Sequence, residues 1–149
     1  MRPFGLRFLR GPTIVQPARI EGVPWPSRSF ATAPRWWVYA RTIKSGPFVF
    51  VSGTTSLDFK GRVQGKDAGE QTLITMRKIE AGLRSAGATL RDLTRLTIFV
   101  TDIRDMGAVS KALGRALKGS VVSSTLVAVS ALAVPGLLVE IESTAVVKE

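Results

Sequence analysis

A chain of 149 residues with 45% hydrophobic content is the size of one domain and can bury a real core. It has no cysteine and no histidine, which excludes disulfides, thiolate nucleophiles, zinc sites of the usual ligand set and any Ser-His-Asp triad. The net charge of +10 is uneven: residues 1–36 hold six Arg and one Glu, and the remainder holds fifteen Lys and Arg against ten acids. A basic surplus attracts polyanions without specificity. The body carries no Lys/Arg run interleaved with aromatics, so no specific nucleic-acid binding is expected.

Residues 1–36 contain six of the eight prolines and two of the three tryptophans. They read as an irregular basic N-terminal extension, followed by one domain over 37–149. The extension is Arg-rich and Lys-free, a composition also found in organellar transit peptides, and Arg28-Ser29-Phe30-Ala31 would suit a processing site. We read it as an arm on a cytoplasmic protein, which the lack of cysteine fits. The alternative is a mitochondrial protein with residues 1–30 as the presequence.

Order is expected from Trp37. Val38 to Thr42 and Phe48 to Gly53 read as strands around a Lys44-Ser45-Gly46-Pro47 turn. Thr54 to Lys66 is a loop. Asp67 is placed to cap a helix over Ala68 to Ala86, whose Thr72, Met76, Ile79 and Leu83 form one largely apolar stripe, and Gly87 stops it. Leu93 to Thr101 is the next strand. A second helix from about Asp105 should bury Met106, Val109, Leu113 and Leu117.

Two adjacent strands then occupy Val121 to Val147, separated by Pro135-Gly136. In the first, Ser124, Leu126 and Ala128 share one face, and Thr125, Val127 and Val129 the other. In the second, Val139, Ile141 and Ala145 oppose Glu140 and Glu142. Ser120 to Val139 has no charged residue, about the length of a membrane span. Pro135-Gly136 cuts that run, five of its twenty residues are Ser or Thr, and β-branched residues fill its first half. No membrane partner is expected.

The order β-β-α-β-α-β-β predicts an α+β domain, a mixed sheet with two helices packed on one face. Nothing in the chain is left to cover the opposite face, so that face, bearing Glu140 and Glu142, is expected to meet further copies of the chain. On these residues alone Glu140 and Glu142 read equally well as the wet side of a strand. Ser52-Gly53 reads as a strand end, and Tyr39 as core packing. No Gly-rich phosphate loop and no metal-ligand cluster occurs, so no cofactor is expected.

The ordered set of Phe48-Val49-Phe50-Val51-Ser52-Gly53, Glu70-Gln71-Thr72, Ala86-Gly87-Ala88 with Leu90, Phe99-Val100-Thr101-Asp102 and Val139-Glu140-Ile141-Glu142 resembles the RidA/YjgF (reactive-intermediate imine/enamine deaminase) family. The resemblance covers about three quarters of the chain, from Tyr39 onward. It implies the RidA-like (chorismate-mutase-like) fold and a homotrimer with ligand clefts between subunits. It also implies hydrolysis of small enamine or imine intermediates that carry a carboxylate. Carried over singly, the cleft tyrosine falls on Tyr39, the Ser-Gly pair on Ser52 and Gly53, and the water-activating glutamate on Glu140. Ser124 stands where the family's substrate-binding arginine would be, and a hydroxyl cannot replace a planar bidentate cation.

The chain therefore looks like the subgroups lacking that arginine, which share Tyr39-Ala40-Arg41 and Ser52-Gly53-Thr54-Thr55. Arg41, two residues from Tyr39, is the candidate replacement cation; running along the surface into water is the other reading. The functions implied are a metal-free deaminase, weak without the arginine, or a non-catalytic trimer binding a small carboxylate or a partner protein. Endoribonuclease activity, ascribed to some relatives, finds no acid/base pair in a chain without histidine.

Overall fold

The computed structural model describes residues 13–15 and 39–148. Its strands are β1 (Thr13–Val15), β2 (Thr42–Ser45), β3 (Phe48–Thr55), β4 (Leu93–Val100), β5 (Ser123–Ala128) and β6 (Val139–Val146); its helices are α1 (Ala68–Ser85) and α2 (Met106–Leu117). One sheet runs in the order β1-β2-β3-β6-β4-β5, antiparallel throughout except for the parallel pair β4 and β5. A parallel pair needs a crossover, and α2 supplies it. Both helices cover the same face, giving the α+β arrangement of a mixed sheet under two helices expected of the sequence.

Helix α1 starts where Asp67 accepts a hydrogen bond from the Glu70 N–H at 2.8 Å. Its stripe of Thr72, Met76, Ile79 and Leu83 is fully buried against Val49, Val51, Leu96, Ile98, Val139 and Ile141. Gly82 lets it sit close to the sheet: a Cβ there would lie 2.8 Å from the Thr42 hydroxyl. Truncating a side chain such as Met76 in this layer would cost about 2–5 kcal/mol.

Four expectations need correction. Thr13–Val15, inside the segment read as irregular, pairs antiparallel with β2. Strand β2 begins only at Thr42, so Tyr39 to Arg41 approach as a non-strand segment; Trp37 and Val38 lie outside the described residues. Met106 is not buried but 53% exposed, because α2 turns only Val109 and Ala112 fully inward. The two C-terminal strands are not neighbours. β6 enters between β3 and β4, where both of its edges are paired, and β5 takes the outer edge of β4. The Pro135-Gly136 turn survives within the longer connection, with Gly136 at φ +87.

The face away from the helices is uncovered among the described residues. It exposes Phe48 and Phe50, each 45% accessible, with Val127 at its far side. The alternation Val139, Ile141 and Ala145 buried, with Glu142 exposed and Glu140 half-buried, puts both carboxylates on that face, as the pattern of β6 required.

Candidate functional site

The site begins with an irregularity in β3. Pairing with β6 steps from Val51 opposite Ser143 to Thr54 opposite Ile141, so β3 carries one extra residue at Ser52-Gly53. Strict alternation would put Ser52 and Thr54 on one face. The bulge separates them: Thr54 is fully buried, and Ser52 stays half-exposed.

The segment before β2 closes over this bulge. The Ser52 hydroxyl donates to the Ala40 carbonyl at 2.6 Å, and the Ser52 N–H to the Arg41 carbonyl at 3.0 Å. Arg41 Nη1 donates to the Gly53 carbonyl and to Thr54 Oγ1, each at 3.0 Å, and Thr54 in turn donates to the Ser52 carbonyl at 2.7 Å. The guanidinium carbon stands 5.3 Å from the centre of the Tyr39 ring, a cation–π distance. Arg41 is thus held inside the site and does not run along the surface.

Glu140 closes the group from β6. A Cβ built on Gly53 would fall 2.1 Å from Glu140 Oε1 and 3.1 Å from Cδ, so the carboxylate occupies the space that glycine leaves. Burial raises the Glu140 carboxyl above its ordinary pKa; Arg41 pulls it down and Glu142 pushes it up. Burial likewise lowers Arg41 and raises Tyr39, each opposed by the charge of the other. The three groups sit in a partly dry environment that disfavours every charge in it; for Glu140 the shift is toward neutral pH, as suits an acid/base group, and for Tyr39 it favours the neutral phenol.

Five of the six residues named from sequence are therefore together: Tyr39, Arg41, Ser52, Gly53 and Glu140. Ser124 is not with them. It pairs with Leu96 and shares the helix-covered side of the sheet with Leu126, while Thr125 and Val127 lie on the side of Glu140. Among the described residues no group of three acids gathers as a metal site.

Three supporting residues were missed. Thr54 is one, hidden by the bulge. Gln71 accepts from the Leu138 N–H at 2.9 Å and donates to the Gly136 carbonyl at 3.0 Å, fixing the chain two residues before Glu140. Lys78, buried on α1, donates to the carbonyls of Thr55 and Leu57 at 2.6 and 2.7 Å and so anchors the end of β3. Burial, with Arg41 adding to it, lowers its pKa to about 8. The signal was present: Gln71, Thr75, Lys78 and Gly82 recur at helical spacing and form a second buried face on α1.

A mixed sheet under two helices, with a carboxylate, a cation and a tyrosine gathered at a bulge, defines a small α+β protein with a candidate site on its open sheet face. The model of the family described as Endoribonuclease L-PSP matches residues 31–147. A RutC family protein of Pyrococcus abyssi is 32% identical over 108 residues, 72% of this chain and 84% of that one. Among solved structures, Rv2704 of Mycobacterium tuberculosis, a member of the YjgF/YER057c/UK114 family, is 43% identical with a TM-score of 0.65, covering 73% of this chain and 86% of its own. YyfA of Yersinia pestis, from the Rid protein family, is 27% identical with a TM-score of 0.74, covering 91% and 99%. The chain belongs to the RidA/YjgF family.

Proposed function

We propose that the chain is a metal-free hydrolytic deaminase of small enamine and imine intermediates, acting weakly because β5 supplies no arginine where the family resemblance puts one. The observation that carries this reading is the Glu140 carboxylate lodged over Gly53 beside Arg41. In the proposed reaction Arg41 holds the substrate carboxylate, and Tyr39 and Ser52 line the pocket. Glu140, ionised, takes a proton from a water that adds to the carbon of the C=N bond. Glu140 hands that proton to nitrogen to give the carbinolamine, then carries the carbinolamine hydroxyl proton to the same nitrogen as the C–N bond breaks, so that a ketone and ammonia leave. An enamine first takes a proton at carbon to become the imine. The raised pKa of Glu140 suits a group that both accepts and donates protons.

The site is proposed to work in a homotrimer, each cleft completed by a neighbouring subunit, which would bring Thr125 of one chain, on the open sheet face, toward Glu140 of another. The support is the uncovered sheet face with its exposed phenylalanines. Among the described residues no helix is long and apolar enough to cross a membrane. We place the protein in the cytoplasm, or in the mitochondrion if residues 1–30 are a presequence.

A second reading, a trimer that binds a small carboxylate or a partner protein without turnover, is favoured by one observation: Arg41 already donates to two groups of its own chain, so its geometry is fixed for holding more than for following a reaction. The experiment that separates the two reads ammonia release from freshly generated 2-iminobutyrate, and in parallel the binding of 2-oxobutyrate by calorimetry. Glu140-dependent ammonia release supports the deaminase. Binding of 2-oxobutyrate with no ammonia release supports the second reading.

A further inference from the structure

The helical layer carries a second cleft, of about 680 Å³, between α1, the short 3-10 turn Leu90–Asp92 and the C-terminal end of α2. It shares no residue with the site around Glu140. Half-buried Leu73, Leu90 and Leu117 supply its apolar surface, and exposed Arg77, Arg91, Arg115 and Lys118 supply its charge.

Those four cations are uncompensated. The ion pairs among the described residues are Arg62–Asp58, Lys66–Glu70, Arg84–Glu80 and Arg104–Asp102, and none uses them. The one acid on the cleft wall, Glu80, is taken by Arg84, which does not line the cleft. Asp92, next to Arg91, is occupied by the Thr89 N–H and hydroxyl, at 2.8 Å each. The negative end of α2 accounts for basic residues at Arg115 and Lys118. It does not account for Arg77 and Arg91, which reach the same opening from α1 and the 3-10 turn. Gathering like charges costs energy that an anion would relieve.

We propose that this cleft binds a soluble organic phosphate with a flat or aliphatic body. Guanidinium groups match phosphate oxygens bidentately, and three converging on one opening suit a phosphate better than a single carboxylate. The leucines demand an apolar body as well as an anion. The volume falls in the range of about 300–1,000 Å³ common for small-molecule sites. The ligand is then a phosphate ester, its phosphate on the Arg77, Arg91, Arg115 and Lys118 side and its body against Leu73, Leu90 and Leu117. This cleft is independent of the deaminase reading and stands or falls without it.

Calorimetry on the full chain tests it with AMP and phenyl phosphate as probes, and with adenosine, phenol and inorganic phosphate as their halves. At least one ester should bind at least tenfold more tightly than its separate halves, and more weakly in 200 mM than in 50 mM KCl. The double variant Arg91→Glu/Arg115→Glu should lose at least tenfold in affinity, Arg91→Gln/Arg115→Gln should lose part of it, and Lys111→Glu on the same helix outside the cleft should lose none. All of these side chains are exposed, and circular dichroism checks that each variant folds. Neither ester binding at millimolar concentration would overturn the proposal. So would inorganic phosphate binding as tightly as the esters, affinity unchanged in the Glu double variant, or binding of an oligouridylate alone.

Discussion

Replacing Gly53 with alanine tests the site with one methyl group. The added Cβ would sit 2.1 Å from Glu140 Oε1, where real Cβ contacts essentially never fall below 3.0 Å. Oε1 must therefore retreat by roughly 1 Å, and because it ends a flexible side chain it can do so without moving the sheet. A misplacement of that size at a reacting group costs on the order of 100-fold in rate, or about 2.7 kcal/mol of transition-state free energy. Folding should hardly notice. Gly53 has no positive φ, and alanine in a strand recovers about 0.5–1 kcal/mol of backbone entropy that offsets the crowding. The expected result is a melting temperature within a few degrees of wild type with ammonia release from 2-iminobutyrate down about 100-fold. Carbon-detected titration of Glu140 adds a second readout. Pushed toward water, the carboxyl should fall back toward its ordinary pKa, since burial is what raises it. Unchanged ammonia release together with an unchanged Glu140 titration would refute the placement of Glu140 over Gly53.

Three further outcomes follow from the same geometry. Arg41→Ala should abolish 2-oxobutyrate binding in calorimetry and raise the Glu140 pKa further, because Arg41 is the charge that lowers it; losing its two hydrogen bonds should also cost about 2 kcal/mol by denaturant titration. Lys78 titrates near 8 in the fold against 10.5 unfolded, so the unfolded chain binds the extra proton between those values and stability rises with pH across that window. The rise is at most about 3 kcal/mol at 1.36 kcal/mol per pH unit; Lys78→Met should lack it in urea titrations at pH 8 and 10, and an identical rise in both proteins would contradict the assignment. Sedimentation equilibrium at micromolar concentration should give three times the 16.1 kDa chain mass, and a monomer would remove the proposed intersubunit cleft.

The elements with strong local signals were legible. The Asp67 cap, the stripe of Thr72, Met76, Ile79 and Leu83, and the alternation of β6 each follow from a single period and appear as read. What failed depended on partners far along the chain. No local signal says that β6 inserts between β3 and β4, because a strand buried on one face and paired at both edges reads like one paired at a single edge. Met106 lies on the stripe of α2 yet is exposed, since the register of a stripe does not fix how far the sheet extends beneath it. The site was legible as residue types, with Tyr39, Ser52, Gly53 and Glu140 located through the family resemblance. Its construction was not, because the bulge that separates Ser52 from Thr54 and frees Thr54 to hold Arg41 leaves no period of its own. For Ser124 the alternation was the better guide: it already grouped Ser124 with Leu126, on the side away from Glu140.

The most direct measurement is ammonia release from freshly generated 2-iminobutyrate and 2-aminoacrylate, comparing the full chain, Glu140→Gln and a family member that bears the arginine. The account predicts slow release by the full chain, more than about tenfold below the arginine-bearing relative, since Arg41, already donating to Gly53 and Thr54, replaces the missing bidentate clamp only in part. It predicts that Glu140→Gln, which cannot take the proton from water, brings even that rate down to the uncatalysed background. Equal release by the full chain and Glu140→Gln would contradict the claim that this carboxylate hydrates the C=N bond.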